Sequence, residues 1–214
     1  MQVLKSDQEK RTFEGLDLSC EKIKDIDFTE CLFKNCIFEN CELERCRFTD
    51  CSFSGCRVIN LRAERTTMLD STFRQCYLTG INWSQLQFSA GYISPIEYMD
   101  DCQLKYNNFV EANFSKFNFS NNSITASLFA DCKLIESKFI NCNLDSTEFF
   151  RCDLTKADFR NSTDYVIDLE TNKLKGARFS FPEVINLLNG LGIVIDWKSR
   201  METNWIHKRS FRWT

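Results

Sequence analysis

Twelve cysteines are the side chains of this 214-residue sequence best placed to do chemistry, since a thiolate can bind zinc, attack an electrophile or close a disulfide. Their spacing points elsewhere. Cys31, Cys36, Cys41, Cys46, Cys51 and Cys56 recur at every fifth position, whereas zinc sites use close pairs such as C-x2-C and gather four ligands at one point. His207 is the only histidine, so neither a Cys/His pair nor a Ser/His/Asp triad is assembled elsewhere. No glycine-rich phosphate loop occurs. The expectation is a protein with no catalytic residue, no metal and no cofactor, and not an enzyme.

The cysteines belong to a larger repeat. From Phe13 an apolar residue falls at every fifth position through Phe28, Phe48, Met68 and Phe88 to Ile93, and a second register, shifted by one residue, runs from Leu104 to Phe179 with Asp164 as its one break. Sixteen of the 20 phenylalanines lie on these two registers. A period of five is neither the helical 3.6 nor the strand period of 2, and it marks a solenoid. Two positions before most of these apolar sites stands a small or moderately apolar residue, and eleven of the twelve cysteines, all but Cys20, occupy that column. The cysteines therefore read as core, small and easily buried. Disulfides along the Cys36, Cys56, Cys76 column are geometrically conceivable, but a reducing compartment opposes them.

This pattern, small-polar-(Leu/Phe)-polar-polar, resembles the pentapeptide-repeat family over residues 12–181. The resemblance implies an all-β fold, a right-handed quadrilateral β-helix with four pentapeptides per square coil, central and i−2 residues inward and the rest toward solvent. About 33 repeats make roughly eight coils and, at ~4.8 Å per strand, a rod of about 40 Å. The register break spans residues 94–103, where Pro95 is incompatible with a ladder donor. A single extra residue there is the simplest reading. Residues 182–196 follow as a helix and short strand: Pro182 suits a first helical turn, and Val184, Leu187, Leu188 and Leu191 form an i, i+3, i+4, i+7 stripe. That segment reads either as a cap on the last coil or as a homodimer contact through those four residues. Residues 197–214 form a tail in which Lys198, Arg200, Lys208, Arg209 and Arg212 alternate with Trp197, Trp205, Phe211 and Trp213. The tail is read as an appendage that packs on the cap or on a partner subunit. No secretion signal or membrane-length apolar run occurs, so a cytoplasmic protein with no membrane partner is expected.

With a single-residue bulge, the wall of Phe28, Phe48 and Met68 continues into Phe109, Phe129, Phe149 and Leu169. Its outward residues are then Asp27, Glu30, Asp50, Asp70, Glu111, Asp131, Glu148, Asp168 and Glu170, opposed only by Arg47 and Arg151. The next wall would carry Lys116, Lys133, Lys156, Lys173 and Lys175. Like charges opposed across strands are destabilising, which makes the acidic wall the candidate partner surface. Asn121, Asn141 and Asn161 should stack as amides along one corner.

Within the family, the segments Gly80-Ile81-Asn82-Trp83, Asp164-Tyr165-Val166-Ile167-Asp168-Leu169 and Gly176-Ala177-Arg178-Phe179-Ser180-Phe181-Pro182-Glu183-Val184-Ile185-Asn186-Leu187-Leu188 resemble the gyrase-protecting group, which includes the Qnr, albicidin-resistance and microcin B17-resistance proteins. That resemblance implies a DNA mimic whose partner is DNA gyrase or topoisomerase IV, with no direct nucleic-acid binding, and protection against a quinolone or natural-product poison. The sequence departs from Qnr in lacking projecting loops before Ser94 and in carrying the basic-aromatic tail. The alternative is a non-enzymatic scaffold for another protein partner.

Overall fold

The repeat closes because of what happens at the last of its three outward positions. Each central apolar residue lies mid-way in a short extended stretch, as in Leu32–Lys34, with the centre buried and its neighbours turned outward. Two residues later the backbone turns through the left-handed region, with φ of 51° at Glu30, 53° at Asp50 and 53° at Asp131. Non-glycine residues adopt this conformation sparingly, Asn and Asp most readily. Its recurrence every five residues makes a square corner. In this computed structural model, which describes residues 4, 6–86, 96–191 and 193 (without the side chains of 189 and 190), the chain is a four-walled parallel β-solenoid of about eight turns.

Each face pairs with the face one coil on. Wall 1 aligns Phe28 with Phe48 and Met68, and wall 2 aligns Phe13, Phe33, Phe53 and Phe73. Wall 3 aligns Phe38, Val58 and Leu78, and wall 4 aligns Ile23, Leu43 and Ala63. Because the pairing is parallel and in register, identical side chains stack: ring centroids are 4.7 Å apart for Phe28–Phe48 and 4.8 Å for Phe33–Phe53, the spacing of adjacent strands. The i−2 cysteines fill the corners of the core and are free thiols, Cys20 alone being exposed. Each S–H also has a carbonyl to donate to, as Cys51 does to Phe28 and Cys56 to Phe33 of the previous coil, at 3.4 and 3.2 Å. Burial pushes the Cys41 thiol up to about 11 and Cys51 to about 12, the reverse of what a nucleophile or metal ligand needs.

The register break is larger than a one-residue bulge. Phe73 pairs with Met99 and Leu78 with Leu104, offsets of 26 residues instead of 20. Asn82 bridges to Asn108, so Trp83 stacks on Phe109 with ring planes 4° apart. A six-residue excess shifts the five-residue beat by one, as a single residue would, but it also advances the chain by one wall. Wall 4 therefore continues from Trp83 into Phe109, Phe129 and Phe149, and Phe114, Leu134, Leu154 and Leu174 follow on wall 1. The Ser94–Pro95 turn itself lies outside the described residues. A second slip occurs near Asp164, where Ile167, not Leu169, pairs with Phe149.

After the break, walls 1 and 2, and wall 3 at Asn143, are built differently, while wall 4 keeps its strands. At Asn113, Asn143, Asp153 and Asp158 the i−1 side chain accepts the backbone N–H two residues on, an Asx turn, and the N–H of residue i+3 donates to the central carbonyl, as Ala157 does to Leu154 at 3.0 Å. Asn141 donates to Asn121 at 3.1 Å as an amide ladder, whereas Asn161 takes Ser180 as its partner. Beyond Phe179 a 3-10 helix spans Glu183–Leu191. Leu187 is buried and Val184 packs against the core, while Leu191 and Ile193 are exposed. The first two stripe residues thus cap the last coil. Val194 and Ile195 of the expected strand, and residues 197–214, lie outside the described residues. Among the described residues no helix is long and apolar enough to cross a membrane.

Candidate interaction surface

The advance by one wall redistributes the charge. Asp27, Glu30, Asp50 and Asp70 lie on wall 1 and its corner into wall 2, while Glu111, Asp131, Glu148, Asp168 and Glu170 belong to wall 4 and its neighbouring corner. The single acidic wall expected from the sequence is therefore two separate acidic groups, one in each half of the rod. Phe109 follows Trp83 in the stack, and that places the second group one face round from the first. The lysines move as well. Lys116, Lys133, Lys156, Lys173 and Lys175 share wall 1 with the first group, joined by the bridges Asn113–Lys133, Lys133–Asp153 and Asp153–Lys173. Charge is segregated along wall 1, acidic in its first half and basic in its second.

The two acidic groups are differently compensated. On the wall 1 corner, Glu30 approaches Lys10 at 3.6 Å and Asp27 meets Arg47 at 3.2 Å. Asp50 and Asp70, one above the other at the same corner, have no ion-pair partner among the described residues. Two such charges one strand spacing apart repel by roughly 0.8 kcal/mol even in bulk water. The first half of wall 4 shows the opposite arrangement, with Lys24–Glu44 at 2.7 Å, Lys22–Glu42 at 3.1 Å and an Arg45–Asp25 pair at 2.6 Å. The Lys24 ammonium, with Arg45 and Lys22, holds the Glu44 carboxyl down to about 2. In the second half of wall 4, Arg151 pairs with Asp131 at 2.7 Å, and Asp168 accepts the Glu170 N–H at 2.7 Å.

Charge alone does not describe wall 4. Between its acids the outward residues Val110, Leu128, Phe150 and Val166 are apolar, with Phe150 43% and Val166 67% exposed. The signal was present in the sequence, since apolar residues stand there at i−1 and i+1 positions that are otherwise polar. Of the four residues read as a dimer contact, Leu187 is buried within the chain, Val184 and Leu188 are half-buried, and Leu191 is exposed.

Comparison with known proteins accords with the geometry. A family model described as pentapeptide repeat region matches residues 26–96, and one for pentapeptide repeats, with eight copies, matches residues 127–163. No curated protein matches the sequence. Among solved structures, a trypsin-treated form of QnrB1, a plasmid-mediated fluoroquinolone resistance protein, superposes with a TM-score of 0.62 at 18% identity, covering 89% of this chain and 97% of that one. Full-length QnrB1 gives a TM-score of 0.54 at 19% identity over 87% of this chain and 100% of that one. HetL, a pentapeptide repeat protein involved in heterocyst differentiation regulation from the cyanobacterium Nostoc sp. strain PCC 7120, gives 0.45 at 14% identity over 80% and 82%. The five-residue beat, the square coil and the family models agree: the chain belongs to the pentapeptide-repeat family.

Proposed function

We propose that this protein is a non-enzymatic, cytoplasmic DNA mimic that binds a type II topoisomerase, DNA gyrase or topoisomerase IV, and protects it against a poison of the cleavage complex, a quinolone or a natural-product toxin. The observation that carries the reading is the Glu30, Asp50, Asp70 corner of the solenoid, where Asp50 and Asp70 have no ion-pair partner among the described residues. Stability alone does not select a column of like charges, and a basic protein surface shaped for DNA would neutralise it. The fold shared with QnrB1 supports the same reading. Duplex DNA presents about one charge per 1.7 Å, against one acid per ~4.8 Å along this corner, so the column imitates DNA at roughly a third of its density. Such a surface chiefly sets encounter rate and specificity. The exposed Leu191 and Ile193 beyond the cap, with Leu188, offer a contact for a second copy, so a homodimer joined at this end is part of the proposal. The test is a gyrase supercoiling assay with and without a cleavage-complex poison. Restored supercoiling in the presence of the poison, or inhibition in its absence, is expected. No change in either, together with no pull-down of gyrase, would reject the reading and leave a scaffold for another protein.

A further inference from the structure

The second half of wall 4 is an unusual surface for a solenoid face. Val110, Ala130 and Phe150 align in one column of this face, and Leu128 and Val166 flank Glu148 in the column on the other side of the central residues, Ala130 leaving a shallow step. Around them stand Glu111, Asp131, Glu148, Asp168 and Glu170, with Arg151 the one base among them, its guanidinium 4.7 Å from the Phe150 ring. An apolar strip with an acidic rim fits a ligand that is aromatic and basic at once. The sequence contains one such segment, residues 197–214, with five bases against Glu202 and with Trp197, Trp205, Phe211 and Trp213.

The path of the chain leads to the same place. The helix Glu183–Leu191 packs against the strand Val166–Ile167, the last strand of wall 4, and the described chain ends at the exposed Ile193. From Val166 to the strand of Val110 is three strand spacings, about 14 Å. Twenty-one residues in extended form reach about 70 Å, so the segment can run back along the face with length to spare. We propose that residues 197–214 dock in cis on this face, their aromatic side chains over Val110, Leu128, Phe150 and Val166 and their bases against the acidic rim. The inference does not depend on the topoisomerase reading. It assigns the second acidic group an occupant within the chain and leaves the Glu30, Asp50, Asp70 corner free for an external partner.

Tryptophan emission tests this directly. Of four tryptophans, Trp83 is buried in the core and the other three lie in the segment. In the full chain we expect blue-shifted emission and protection from acrylamide. The share of both that comes from the three segment tryptophans should be lost in a Phe150→Glu/Val166→Glu variant, leaving that of Trp83, and partly lost on adding salt to the wild type. A Leu32→Glu variant, at a partly exposed apolar site on wall 2, should leave them unchanged. Circular dichroism checks that each variant folds, and Glu111→Lys/Asp131→Lys, altered at exposed positions only, replaces the apolar variant if that one does not. Emission in the wild type as red and as quenchable as in the wall 4 variants would overturn the proposal. So would protection that disappears on dilution as the mass falls, which would assign the segment to a second copy.

Discussion

The two halves of wall 1 share one lattice and carry opposite charge. In the first half the corner column reads Glu30, Asp50, Asp70; after the break the same column reads Lys116, Glu136, Lys156. In the second half the charges alternate and pair, Lys156 meeting Glu136 at 3.0 Å. In the corner column of the first half, only Glu30 finds a base, Lys10. The backbone differs too, three-residue strands such as Arg47–Thr49 giving way to Asx-capped turns linked by isolated bridges. The inward positions are constrained alike in both halves by packing around a central apolar residue. The outward ones are not, so a difference confined to them points to what each half faces.

The junction between the halves offers the largest effect. Asn107 occupies an i−2 position where a cysteine often stands. It is fully buried, accepts from the Ile81 N–H and the Trp83 indole N–H, both at 3.2 Å, and donates to the Leu78 carbonyl at 2.8 Å. Asn107→Ala leaves two buried donors without an acceptor and is expected to cost about 3 kcal/mol. Chemical denaturation followed separately by Trp83 emission and circular dichroism should show the loss. Because coils contact only their neighbours, the transitions of the two halves should separate in this variant. A smaller effect distinguishes the two kinds of face. Asn143→Ala removes the acceptor for the Asp145 N–H and is expected to cost about 1 kcal/mol, whereas Thr67→Ala at the matching position of a strand face should change stability by about 0.5 kcal/mol or less. Equal losses at the two sites would remove the distinction between the faces.

The fold could be read from the sequence because an apolar residue at every fifth position repeats without exception through the first register. Buried Phe, Leu and Cys at fixed intervals leave one way to close the coil. The order of the walls beyond the break could not. An excess of one residue and an excess of six give the same shift of a five-residue beat, and only the pairing of Phe73 with Met99 and the stacking of Trp83 on Phe109 separate them. Asn107 held a clue, a large polar residue in a small-residue column, and its role is to receive the Trp83 indole across that junction. The candidate surface inherited the ambiguity. Glu30, Asp50 and Asp70 precede the break, where any register stacks residues twenty apart. Glu111 and Asp131 follow it and lie one wall away from where an excess of one residue would put them. The Asx turns were legible in principle from the Asn and Asp residues at i−1, whose side chains compete for nearby backbone N–H groups.

The central claim is that the acidic first half of wall 1, and not the second half of that wall or of wall 4, meets the basic partner. The most direct measurement is binding to gyrase at low salt for three variants: Glu30→Lys/Asp50→Lys/Asp70→Lys, Lys116→Glu/Lys156→Glu, and Glu111→Lys/Asp131→Lys. Each alters exposed corner positions only. The account predicts that the first loses affinity by at least about tenfold, a shift of about 1.4 kcal/mol, with a flattened salt dependence, while the other two bind as the wild type does. Undiminished binding by the first variant, or a loss confined to the third, would contradict it.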